Sequence, residues 1–313
     1  MSDTTAPEPT DTSTADTAPD GRALAVLLFG AAVIGLVPIL VRLSDTGSAA
    51  AGFWRLTFAL PLLALMTQRS GAKLSPGPSR LALVAGVMFA LDLGFWHYGI
   101  AMTSVANATV LSNLTPVVVT AFAWIFLRQT PRRLFVAAVA LAMAGAFTMA
   151  AARGGAPGPS QALGNASAAL TALWYAFYFL AISAARKTEA ASRIMFWSSL
   201  TGAPLLLIAA RLLGEPIIPG SLGGWAACVG LGVLHVSGQG AIAWALGRLP
   251  PATASVVVLI QPVVAAIAGW LLFAEALGPL QAFGGAVTLA GVALAQWSAR
   301  PPRAPAAHAP KPT

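Results

Sequence analysis

The 313 residues carry a net charge of +8, yet only 9% of them are charged and 57% are hydrophobic, with a mean hydropathy of +0.77. A soluble domain has roughly 25% charged residues, so most of this chain cannot face water. Its basic balance fits short loops between membrane spans better than a nucleic-acid partner. The single cysteine, Cys228, excludes an intrachain disulfide and any metal or redox centre built on cysteines.

In chain order, residues 1–21 hold Asp3, Glu8, Asp11, Asp16 and Asp20 with no basic residue, which reads as a disordered acidic tail and not a signal peptide. Ten apolar runs follow, at about 22–42, 48–67, 81–101, 106–127, 134–152, 162–184, 192–213, 222–246, 252–273 and 279–298. Each has the ~20 residues that cross a ~30 Å hydrocarbon core as a helix. Their Leu/Ala/Gly content does not alternate as the strands of an outer-membrane barrel would. The expected fold class is therefore all-α, a polytopic membrane protein of ten transmembrane helices. Residues 299–313 form a Pro/Ala-rich tail.

With the N-terminus placed in the cytoplasm, fourteen Lys and Arg residues fall on the cytoplasmic side. Arg42, Arg153 and Arg211 fall on the other, and Arg55 lies within a span. That split predicts a cell (inner) membrane protein with both termini cytoplasmic.

Polar side chains within the spans are the candidate machinery, because a charge at the bilayer centre costs at least ~2.5–3.5 kcal/mol unless it faces the protein interior. Arg55 in the second span and Asp92 in the third lie at matching depths, roughly 10–11 Å and 13–14 Å below the outer end at ~1.5 Å per residue. Such a pair either neutralises two buried charges or offers them to a substrate or a proton. Trp96, His97 and Tyr98 sit nearer the outer boundary, where aromatic side chains anchor a helix.

Pro116 and Pro262 lack an N–H and so free the carbonyls of Ser112 and Val258 midway through the fourth and ninth spans. Asn113 and Gln261 stand beside them and need hydrogen-bond partners, from other helices or from a substrate. Trp174, Tyr175 and Tyr178 lie midway through the sixth span, with Trp174 and Tyr178 on one face, as a candidate cavity wall. His235 and Gln239 share a face of the eighth span. His235 is either hydrogen-bonded scaffolding or a cavity residue able to take up a proton. The Gly-rich run GGAVTLAG (284–291) is built to pack helices closely, within one chain or in a homo-oligomer.

The sequence also repeats itself. TVLSNLTPVVVTAFAW (109–124) and SVVVLIQPVVAAIAGW (255–270) match at a spacing of 146 residues, as do Ala106 and Ala108 with Ala252 and Ala254, and Ala144-Gly145 with Ala290-Gly291. FWRLTFALPLL (53–63) resembles FWSSLTGAPLL (196–206) at a spacing of 143. Five spans per half, 22–152 and 161–298, force the second half to enter the membrane upside down. The charges agree, since RQTPRR follows the first copy and AEALGP the second. These are two inverted five-helix repeats.

Ten spans in two halves, the Phe53-Trp54-Arg55 run, and spaced alanines ahead of a mid-span proline in each half together resemble the drug/metabolite transporter superfamily, of the EamA-domain type. Glu275 matches the acidic residue usual after that helix, whereas Gln129 stands in its place in the first half. The resemblance implies a secondary carrier working by alternating access on a small-molecule substrate in a lipid bilayer, exporting amino acids or similar metabolites. Aromatic or other apolar amino acids suit an interior with one acid, one base, amides and aromatic walls. The same superfamily includes nucleotide-sugar and phosphorylated-metabolite exchangers and drug efflux carriers. A phosphate substrate wants several interior Lys or Arg residues, and only Arg55 qualifies. Motifs of metalloproteases, serine hydrolases and phosphate loops do not occur, so no catalytic residue, cofactor or metal site is expected.

Overall fold

The computed structural model describes residues 20–75, 77–103, 105–126, 128–153, 160–274 and 277–299. Most of both terminal tails and the position of Glu275 lie outside the described residues. Among the described residues every regular element is a helix. The first half contains α1 (Gly21–Gly35), α2 (Val37–Arg42), α3 (Ser48–Arg69), α4 (Arg80–Met102), α5 (Val105–Ser112), α6 (Thr115–Ile125) and α7 (Arg133–Arg153). The second contains α8 (Gln161–Ala185), α9 (Ala191–Leu212), α10 (Leu222–Leu234), α11 (Gly240–Ala245), α12 (Pro251–Val257), α13 (Gln261–Phe273) and α14 (Pro279–Ser298).

Among the described residues, nine helical stretches are long and apolar enough to cross a membrane. The tenth expected span is present but broken, because α5 stops at Ser112 and α6 restarts at Thr115. Its counterpart in the second half breaks at the equivalent place: a 3₁₀ turn at Val258–Ile260 separates α12 from α13. The proline after each break explains why, since Pro116 and Pro262 stand in the first turn of the following helix, where a missing N–H is harmless. The carbonyl that Pro116 releases is taken up locally, by the Thr115 hydroxyl donating to Ser112 O at 3.2 Å.

The helices pack as an inverted repeat requires. α7 lies along α14 and α3 along α9, each beside its own counterpart. The contact of α4 with α8 recurs as that of α11 with α1, and α4 with α9 recurs as α10 with α3. The Gly-rich run of α14 packs within the chain: a Cβ on Gly145 would stand 2.3 Å from the backbone N of Thr288, and one on Gly291 2.3 Å from that of Ala142. Gly145 and Gly291, like Ala142 and Thr288, are 146 residues apart, so one contact is made twice about a pseudo-two-fold axis.

The helix ends sort onto two faces. On the face of the described termini, Arg132 Nη1 donates to Ser298 O at 3.1 Å, Arg248 stands 3.9 Å from Asp20, and Arg193 donates to the carbonyls of Lys73, Ser75 and Gly77. Burial and the nearby Arg248 push the Arg186 guanidinium below its ordinary range. On the opposite face, Ala50 N donates to Glu215 Oε2 at 2.9 Å, Trp54 Nε1 to Ile217 O at 2.7 Å, and Gly47 N to Pro216 O at 2.9 Å. Span ends therefore alternate between faces along the chain.

Candidate functional site

Where the two broken spans meet, the bundle holds a cavity of about 190 Å³. Both breaks line it: Ser112, Asn113 and Thr115 from the first half, and their counterparts Val258, Leu259 and Gln261 from the second. Arg55 of α3, Asp92 and Phe89 of α4, Tyr175 of α8 and Gln239 complete the polar and aromatic wall. A second cavity of about 220 Å³ shares Val37, Pro38, Arg55, Leu93 and Trp96 with the first and runs between α2, α3 and α4 to Arg42 and Ser48. The path from the chamber thus leads to the face opposite the described termini. Toward the termini the bundle is filled by Leu27, Ile182, Ile242, Leu246 and Val257, all buried in the main core.

Arg55 and Asp92 are 4% and 8% exposed and line one chamber, yet they do not form the expected ion pair. Among the described residues the ion pairs are Arg193–Glu189 and Arg248–Asp20. Arg55 turns instead toward the second half: its Nε donates to His235 Nδ1 at 3.2 Å, and its guanidinium lies 5.4 Å from the centre of the Phe89 ring. No ion pair to the Asp92 carboxylate occurs among the described residues, and Asp92 lines the cavity. Two amide donors, Asn113 Nδ2 and Gln261 Nε2, are also buried without a partner. The chamber thus gathers an acid outside any ion pair, a guanidinium edge and two amide donors without a partner, a set with unused hydrogen-bonding capacity.

The eighth span explains how His235 and Gln239 both point inward. Residues His235–Gln239 form a single π-helical turn between α10 and α11, and both side chains are 1% exposed. Such turns insert one residue into a helix and are frequent at functional sites. Close packing holds this one, since Gly30 meets the Gly238 carbonyl, where a Cβ would come within 2.7 Å. Gln239 Nε2 donates to the Tyr178 hydroxyl at 3.1 Å, and Tyr178 stacks on Tyr175 with ring centres 5.8 Å apart.

The structure places the other candidates as follows. His235 stands behind Arg55 and does not line the chamber. Tyr175 is the aromatic residue on the chamber wall, while Tyr178 is 1% exposed in the layer behind it. Trp174 turns away and packs edge-on against Phe95 at 5.9 Å. Trp96, expected as an interfacial anchor, lines both cavities. Pro116 reaches the chamber and Pro262 does not. Sequence reasoning missed Phe89, Thr115, Thr171 and Ser255, the last three because a lone hydroxyl in a span usually bonds back to its own helix.

Two antiparallel five-span units closing on a buried polar chamber define a multi-pass membrane transporter. The model of the EamA-like transporter family matches residues 21–151 and again 162–297, and the chain belongs to that family. An uncharacterized transporter of Archaeoglobus fulgidus is 26% identical over 272 residues, covering 87% of this chain and 95% of the relative. The pseudopaline exporter CntI of Pseudomonas aeruginosa is 26% identical over 261 residues, covering 78% of this chain and 84% of the relative. A solved structure with 18% identity superposes with a TM-score of 0.77 over 89% of this chain and 98% of its own, a likeness of fold alone.

Proposed function

We propose that this transporter exports small metabolites carrying both an ammonium and a carboxylate group, with amino acids the nearest class. The observation that supports this is the separation of Arg55 from Asp92 within one chamber: a carboxylate can meet the guanidinium while an ammonium meets the acid. Tyr175, Phe89 and Trp96 offer apolar contact to a side chain, which favours aromatic or aliphatic substrates. About 190 Å³ lies below the ~300–1,000 Å³ of pockets for drug-sized ligands, so a nucleotide sugar is a poor fit. A family relative named as an exporter supports the outward direction. The inverted repeat supports alternating access, with the present form sealed toward the termini. The arginine-rich loops support the reading of that sealed face as cytoplasmic in a cell-membrane protein.

The test is flux from proteoliposomes loaded with labelled amino acids. At least one should leave saturably and compete with its unlabelled form. No flux for any of the twenty removes the amino-acid reading and leaves family membership untouched.

A further inference from the structure

We infer that His235 is a positioning residue: it holds Arg55 away from Asp92 while neutral, and lets the two charges close on each other once it is protonated. The inference rests on the reading of the chamber as a site for a solute of both charges.

A guanidinium and a carboxylate lining one small buried cavity attract strongly, and two charges left apart there need a restraint. The restraint is visible. Arg55 occupies a slot between the His235 ring, which accepts from its Nε at 3.2 Å, and the Phe89 ring, 5.4 Å from its guanidinium carbon. Phe89 in turn packs 5.6 Å from His235 and 4.9 Å from Tyr178, so the slot is walled on both sides.

A ring nitrogen that accepts a hydrogen bond carries no proton. Nδ1 accepts from Arg55, so the imidazole is neutral with its proton on Nε2, facing Ser199 Oγ at 3.2 Å as the acceptor. The polar groups against the ring are Arg55 from α3 and Ser199 from α9; Asp92 of α4 and Tyr175 of α8 line the chamber that Arg55 also lines, Tyr178 of α8 accepts from Gln239 of the same turn, and α1 meets the turn with Val33 and Ile34. A proton entering from solvent at Nδ1 would set N–H against N–H and one cation beside another. Arg55 then has to leave, and Asp92 is the free acceptor in its chamber. Once Arg55 and Asp92 meet, a bound solute loses the partner of its carboxylate and that of its ammonium together. Proton uptake and solute release become one event.

Two variants separate the parts of this claim. His235→Gln keeps an oxygen that accepts from Arg55 but cannot titrate, and His235→Leu keeps neither property. The direct readout needs no substrate. In protein labelled with ¹⁵N-histidine, the signal missing from His235→Gln should be a neutral imidazole protonated on Nε2 at about pH 7.5. A ring protonated on Nδ1, or a cation, overturns the inference. Binding of labelled L-phenylalanine is then compared at about pH 7.5 and about pH 5. Wild type should weaken about tenfold or more on acidification, His235→Gln should weaken clearly less, since only Asp92 is left to titrate, and His235→Leu should bind about tenfold more weakly than wild type at about pH 7.5. Wild-type affinity in His235→Leu overturns the positioning role, and undiminished pH dependence in His235→Gln overturns the proton switch. Should His235→Leu fail to fold, the His235→Gln and tautomer results still decide. If wild type binds no zwitterion, the substrate reading fails while the tautomer result stands by itself.

Discussion

Arg128 and Ala274 occupy the same left-handed backbone turn, with φ of 56° and 52°, at the repeat spacing of 146 residues. Each follows the second helix of a broken span, Arg128 on the face of the termini and Ala274 on the opposite one. The repeat has kept the turn and exchanged a cation for a methyl group, which separates what the fold requires from what the membrane requires. A side chain in this region costs about 1–2 kcal/mol relative to the right-handed region. Arg128→Gly and Ala274→Gly should each leave the protein unchanged or stabilise it by up to about 1 kcal/mol, in thermal unfolding of the detergent-solubilised protein. A gain at one site with a marked loss at the other would show that the turns are not equivalent.

The twin contacts between α7 and α14 predict a symmetrical weakness. Gly145→Ala and Gly291→Ala each place a Cβ within 2.3 Å of a backbone nitrogen, so the helices must separate. Each should cost about 1–3 kcal/mol by the same unfolding measurement. Gly94, inside α4 with nothing within 4 Å of its Cβ position, is the control, and its alanine variant should be as stable as wild type or more stable by up to about 1 kcal/mol.

In the chamber, Asp92→Asn and Arg55→Gln each remove one charged anchor. A hydrogen bond to a charged group is worth about 1.5–3 kcal/mol, so Kd for a transported amino acid should rise about ten- to a hundredfold in either variant. Trp174→Phe alters a ring that packs outside the chamber and should shift Kd by less than about threefold. A large effect at Trp174 with none at Asp92 would place the substrate elsewhere.

Topology is testable by labelling. Cys228 is the single cysteine of the sequence, so a Cys228→Ser background carries no competing thiol. Single cysteines at Ser75 and Lys187 should react with an impermeant reagent from one side of the membrane, and those at Gly214 and Ser221 from the other. Ser75 and Ser221 reacting from the same side would break the alternation.

The spans and their antiparallel order were legible because charge and length are conserved properties of a loop or a run, whatever direction a helix faces. Depth was legible too: Arg55, Asp92, Asn113, Tyr175, Gln239 and Gln261 do gather at one level. Azimuth was not. In a lipid-embedded bundle the outward face is as apolar as the packed one, so spacing along the chain does not reveal which way Trp174 or Trp96 points. The π turn at His235–Gln239 adds a rotation that no regular helical count includes. The absence of an Arg55–Asp92 contact follows from it, because that turn presents the competing acceptor.

Arg193 clamps the loop carbonyls of Lys73, Ser75 and Gly77, and 143 residues earlier its counterpart is Ala50, whose amide is latched by the Glu215 carboxylate. The same joint is therefore fastened by a guanidinium on one side of the membrane and by a carboxylate on the other. On the alternating-access reading proposed above, unequal fasteners at the two rims would set which way the duplicated machine rests, and rim substitutions alone would turn it round without touching a buried helix.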